Sequence, residues 1–174
     1  FSEFRPKSIG WAAIWGDAEE FAFEPREWGL IRNGALRKVY RTKGRLRTAD
    51  AVIDVTLDTG SPRIDFRVTL DCERNEGIFT ASFPCDSDTE LYADVPYGVE
   101  KRDLSCEPSE NVQGSIGNPE HYFYWESAWR GQFWARNFAL FTGNRVNTAL
   151  ISDTCAIYYS LRRDLGTVSL LLTG

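Results

Sequence analysis

Between Ala51 and Leu70, apolar and polar residues alternate through two consecutive segments joined by a turn. In the first, Ala51, Ile53, Val55 and Leu57 alternate with Asp54, Thr56 and Asp58; in the second, Ile64, Phe66, Val68 and Leu70 alternate with Asp65, Arg67, Thr69 and Asp71. A period of two places every second side chain on one face, which is what a strand with one buried face requires and what a helix cannot accommodate. Asp58-Thr59-Gly60-Ser61-Pro62 lies between them. Glycine tolerates a positive φ and proline holds φ near a turn value, so the pair reads as an antiparallel hairpin. Asn75-Glu76-Gly77 supplies another turn into Ile78–Phe83, where Phe79, Ala81 and Phe83 share a face. Three such strands in succession predict a meander.

The rest of the chain follows the same pattern. Residues 1–30 mix Trp11, Trp15, Phe21, Phe23 and Trp28 with acids and turn formers, as a few strands and loops would. A basic strand-like segment begins near Ala35 (Leu36, Arg37, Lys38, Val39, Tyr40, Arg41), and Lys43-Gly44 is expected to break it. Residues 101–119 are rich in Pro, Gly, Ser and Asn, the composition of a long loop. Strands are expected again over 132–141, 145–152, 155–161 and 167–172, with Gly143-Asn144 and Gly166 as punctuation. No segment of useful length has a helical period. The expected fold is all-β, an antiparallel β-sandwich, with residues 1–174 forming a single domain.

Composition narrows the function classes. A net charge of -5 argues against nucleic acid or an anionic membrane as the main partner. No apolar run approaches the roughly 20 residues of a membrane span. The chain starts at Phe1, contains no Met and stops just after a Leu run, so a piece of a longer protein is expected. Cys72, Cys85, Cys106 and Cys155 are too widely spread for a zinc knuckle. They read as buried or half-buried free thiols of a reducing compartment, which points to the cytoplasm, with disulfides as the alternative. The single histidine, His121, excludes any metal site built from several imidazoles of this chain.

Five segments, taken in order, resemble a known family. They are Asn33-Gly34-Ala35-Leu36-Arg37; Gly60-Ser61-Pro62-Arg63-Ile64-Asp65-Phe66; Phe83-Pro84; Asp94-Val95-Pro96-Tyr97-Gly98-Val99-Glu100; and Ala149-Leu150-Ile151-Ser152-Asp153 ahead of Leu170-Leu171-Leu172. This order is similar to the C-terminal β domain of glycoside hydrolase family 38, the α-mannosidases. There "NGPLR", "GSPRIDF", "FP", "PFGV" and "VALLND" segments precede a last "LLR" strand. The resemblance spans roughly residues 30 to 172. Cys72 stands where the family usually carries Trp, Asp153 follows Ser152 in place of Asn, and residues 122–141 are unusually aromatic. These departures bear on substrate specificity rather than on fold.

The resemblance implies a super-sandwich of the galactose-mutarotase kind, packed on an N-terminal catalytic domain of the same chain. It also implies a parent enzyme that is a retaining glycosidase acting on mannosides. In such an enzyme zinc, held by His and Asp, binds the sugar hydroxyls, and an Asp attacks the anomeric carbon. Those residues belong to parts of the family outside this segment, so no catalytic residue, metal ligand or cofactor is expected within residues 1–174. A retaining site also needs two carboxyl groups about 5 Å apart. The domain is expected to be inactive alone.

Within the chain, the aromatic stretch from His121 to Arg136 is the candidate sugar surface. Sugars stack their C–H faces on aromatic rings while carboxylate and guanidinium groups bind their hydroxyls, and Trp125 and Trp129 beside Glu126 and Arg130 offer that mixture. Core or interface packing is the plainer reading of the same rings. A free-standing lectin-like module is the alternative function. A mutarotase-like activity would want more than the one histidine, and His121 itself reads as structural. The acids Asp86, Asp88, Glu90 and Asp94 lack the glycine-centred loop of a calcium site and read as a solvated strand edge.

Overall fold

The computed structural model describes residues 1–6, 18–72, 78–86, 88–102, 132–144, 147–153, 157–162 and 166–173. These residues form an all-β, antiparallel structure. Its strands are β1 (Ser2–Pro6), β2 (Ala18–Ala22), β3 (Glu24–Asn33), β4 (Arg37–Arg45), β5 (Ala49–Asp58), β6 (Ile64–Cys72) and β7 (Ile78–Pro84). They continue as β8 (Glu90–Val95), β9 (Gly98–Arg102), β10 (Gln132–Ala135), β11 (Phe138–Thr142), β12 (Asn147–Ile151), β13 (Ile157–Arg162) and β14 (Thr167–Thr173). One six-stranded sheet has the order β10-β13-β14-β7-β1-β2, and two four-stranded sheets have the orders β3-β4-β5-β6 and β12-β11-β8-β9.

The large sheet gathers its apolar side chains on one face. Phe79, Ala81 and Phe83 alternate along β7, and Leu170 and Val168 of β14 lie opposite Ala81 and Phe83 in register. At one end of this face, Phe79 joins Leu46, Ala49 and Ala51 in a buried cluster against which Phe23, Leu70 and Leu172 pack. Toward the other end, Val168 joins Leu91, Ala93, Ala139 and Phe141, with Phe83 and Leu170 packed alongside. Both small sheets therefore cover the same face of the large one, side by side, in a two-layer sandwich. The reverse face is polar where Ser82 and Ser169 share a 2.8 Å contact between hydroxyls. Antiparallel sheets suit this arrangement, because each can turn one apolar face toward the facing layer.

The expected hairpin is present, with Leu57↔Ile64 through Ala49↔Cys72 in register and Gly60 at φ 77° in the turn. The expected meander is not. β7 pairs with β1 and β14 in the opposite layer, and Phe83 meets Phe66 of β6 edge-on, with ring centroids 5.4 Å apart at 70°. An alternating strand is equally content beside its predecessor or across the core from it, so the local pattern does not decide between them.

Two further expectations are corrected. Lys43-Gly44 does not end β4, which runs on to Arg45. A Cβ on Gly44 would collide with the carbonyl oxygen of Glu24 and sit 2.5 Å from the Phe23 ring. The glycine permits close approach of backbone and ring inside a sheet, a use distinct from breaking a strand. Residues 132–141 are likewise not one strand: β10 belongs to the large sheet and β11 to a small one. The chain changes layer at Arg136-Asn137. There Arg136 N donates to Asp94 O at 2.8 Å and Asn137 Nδ2 to Asp94 Oδ2 at 2.6 Å.

Candidate functional site

Trp125, Glu126, Trp129 and Arg130, together with His121, lie outside the described residues. The functional reading of the described structure therefore rests on the sheet β3-β4-β5-β6, whose two faces have opposite characters.

One face is a lattice of charge. In register it carries Arg41 beside Asp54 and Arg67, Arg37 beside Asp58, and Arg45 beside Asp50 and Asp71. Arg37 grips Asp58 through Nε and Nη2, both at 2.6 Å, and Arg41 grips Asp54 in the same two-pronged way at 2.7 Å. The planar guanidinium matches a carboxylate in this geometry, and each hydrogen bond favours the ionised acid. Hydrogen bonding to Arg41 thus holds Asp54 below its ordinary pKa, and hydrogen bonding to Arg37 does the same for Asp58. Lys43 faces Glu27 at 3.2 Å. Asp58, Asp54, Glu27 and Asp50 are each paired with a cation.

The other face is apolar and only half covered. Along β5 burial fades in step with distance from the large sheet: Ala49, Ala51 and Ile53 are buried, Val55 is half-buried and Leu57 is exposed. The cross-strand row Leu30, Tyr40, Val55 and Phe66 sits at the boundary, and Leu57 with Ile64 extends it outward. Ile64 is 53% and Phe66 43% exposed, so the expectation that the whole face of β6 is buried fails at this end. Trp28, on the edge strand β3, is 82% exposed. Leu30, Tyr40, Leu57, Ile64 and Phe66 thus leave an apolar patch open on this face. Alternation in the sequence announced the face, but nothing local distinguishes its covered half from its open half.

The acids near β8 are placed differently from expectation. β8 is an interior strand, paired with β9 and β11, rather than an edge. Glu90 accepts from Lys101 Nζ at 2.6 Å and from Tyr92 Oη at 2.9 Å, hydrogen bonds that lower its pKa and raise that of Tyr92. Asp88 accepts from Asn144, and Asp94 accepts from Asn137. Among the described residues no group of three or more His, Cys, Asp or Glu side chains is arranged to hold a metal ion. These residues do not fit the zinc that the resemblance implies for the parent enzyme. Cys72 is an exposed free thiol rather than a buried or half-buried one. Among the described residues no helix is long and apolar enough to cross a membrane.

Two placements had no functional signal in the sequence reading. Tyr97, in the two-residue turn Pro96-Tyr97 between β8 and β9, is fully exposed and takes φ 76°. With proline at the first position this is the φ pattern of a type II turn, whose second position normally holds glycine. Glu3, by contrast, is wholly buried. Its carboxylate accepts from Thr48 N at 2.8 Å and Thr48 Oγ1 at 2.7 Å, and Arg47 Nη1 lies 3.9 Å away. It fastens β1 in the large sheet to the β4–β5 loop of the facing layer. No family model matches the chain, and no curated protein matches it.

Proposed function

We propose that this chain is the non-catalytic C-terminal β-sandwich of an α-mannosidase-like glycoside hydrolase, of the super-sandwich type, packed on an N-terminal catalytic domain and bordering its mannoside cleft. The observation that carries the reading is the open apolar half of the β3-β4-β5-β6 sheet. Leu30, Tyr40, Leu57, Ile64 and Phe66 are exposed along one face, as an inter-domain contact requires. The resembling segments add support. Asn33–Arg37 turns β3 into β4, Gly60–Phe66 leads into β6, and Asp94–Glu100 spans the β8–β9 hairpin. In this reading zinc and the nucleophilic Asp belong to the catalytic domain, and the present domain supplies support and a wall.

The test begins with the reading frame upstream, which must encode a His and Asp set able to hold zinc. The chain alone should not hydrolyse an aryl α-mannoside with or without zinc, whereas the chain joined to that upstream region should. Ile64→Asp and Tyr40→Glu should lower the activity and melting temperature of the joined protein. They should leave the melting of the isolated domain within a few degrees. An upstream frame without such a set sinks the proposal. Mannoside binding by the isolated chain, abolished in Trp125→Ala or Trp129→Ala, would establish the lectin-like alternative in its place.

A further inference from the structure

We propose that β12 is a dimerisation edge, pairing antiparallel with β12 of a second copy of this chain about a two-fold axis at Ala149. The inference does not depend on the glycosidase reading.

The backbone geometry is set by one hydrogen bond. Ser152 N donates to Asn137 O at 2.9 Å, and the β11–β12 register continues this pairing as Ala139↔Leu150 and Phe141↔Thr148. Hydrogen-bonded and non-bonded pairs alternate in an antiparallel ladder, so Thr148 and Leu150 turn their N–H and C=O groups toward β11. Asn147, Ala149 and Ile151 turn theirs away, and among the described residues β12 is the terminal strand of its sheet.

A bare row of this kind invites another strand, and the other terminal strands are blunted. β3 carries Pro25 and two register shifts, and β2 carries Glu19 and Glu20. β6 carries Asp65, Arg67 and Asp71, and β9 carries Glu100, Lys101 and Arg102. β10 is only four residues long. β12, Asn-Thr-Ala-Leu-Ile, has no charge, no proline, no glycine and an unbroken register.

The occupant follows from that neutrality. A strand without charge meets its own copy with no like charges opposed, and a two-fold pairing is self-complementary. Centred on Ala149, the register sets Asn147 against Ile151 of the second copy, Ala149 against Ala149, and Thr148 against Leu150. The outward groups then make about six backbone hydrogen bonds. Leu150 already packs against the buried cluster of Leu91, Ala139 and Phe141, so the pairing continues an existing apolar layer. It also sets a partner strand beside Ile151, whose side chain is 73% exposed.

Sedimentation velocity on the full chain, from about 1 µM to about 1 mM, reads the equilibrium directly. The wild type should form dimers. Ala149→Pro removes an outward N–H that takes no part in the β11–β12 ladder, and should weaken dimerisation at least about 100-fold with unchanged melting. Ala149→Lys and Ala149→Glu should each be monomeric, since the axis opposes each charge to its own copy, and an equimolar mixture of the two should dimerise again. A wild type that stays monomeric throughout overturns the proposal. So does a dimer that survives Ala149→Pro, or two charged variants that do not rescue one another.

Discussion

Replacing Glu3 with alanine tests whether a buried carboxylate joins the two layers. The side chain is fully buried in β1, opposite Phe79 of β7 and Phe21 of β2, on the apolar face of the large sheet. Both of its oxygens are engaged by Thr48, through the backbone N–H at 2.8 Å and the hydroxyl at 2.7 Å. Hydrogen bonds to a charged group are each worth about 1.5–3 kcal/mol, and removing one partner leaves the other desolvated. Deleting one member of a buried charged pair typically costs about 3–5 kcal/mol, and Arg47 would lose its nearest carboxylate as well. We expect Glu3→Ala to cost about 3–5 kcal/mol in urea denaturation, or about 6–20 °C in melting temperature for a chain of this size. Glu3→Gln keeps an acceptor for the Thr48 N–H and a donor for its hydroxyl, and should cost about 1 kcal/mol. A loss under about 1 kcal/mol for Glu3→Ala, or equal losses for the two variants, would refute the account.

Gly44→Ala should cost about 3 kcal/mol by forcing β3 and the Phe23 ring away from β4, whereas Gly29→Ala, with nothing within 4 Å of its Cβ position, should leave the urea midpoint nearly unchanged. Tyr97→Gly should raise stability by about 0.5–1 kcal/mol, because glycine takes the left-handed conformation without the side-chain clash; a fall in melting temperature would count against a strained turn. Asp54, Asp58 and Glu90 have folded pKa values below their unfolded ones, so they contribute stability above about pH 4 and lose it as pH falls through the lower folded values. Urea midpoints should therefore drop progressively below about pH 4, with a shallower drop in Asp54→Asn; a midpoint that rises on acidification would contradict this.

Much of the strand content was legible because alternation is a local property. Ala51–Leu57 and Ile64–Leu70 announced β5, β6 and their hairpin, since period two and a Gly-Pro turn leave little else for those residues to form. Gly44 was misread because a glycine that admits a carbonyl oxygen and a ring looks the same in sequence as one that ends a strand. Phe133 and Phe138 looked like one continuous strand because nothing local distinguishes a strand from two strands that cross between layers at Arg136-Asn137. The site fared worse. Trp125, Glu126, Trp129 and Arg130 lie outside the described residues, and the open apolar face, Tyr97 and Glu3 had no site signal of their own.

By itself the sequence determined that this chain builds antiparallel strands with apolar and polar faces, because side-chain alternation follows directly from the pleat of the backbone. Tertiary structure decided which strands share a sheet, which half of the β5 face is covered and which described strands end their sheets. Those outcomes depend on partners distant in the chain. Burial grades from Ala49 to Leu57 along a single uniform pattern because the large sheet covers only one end of it.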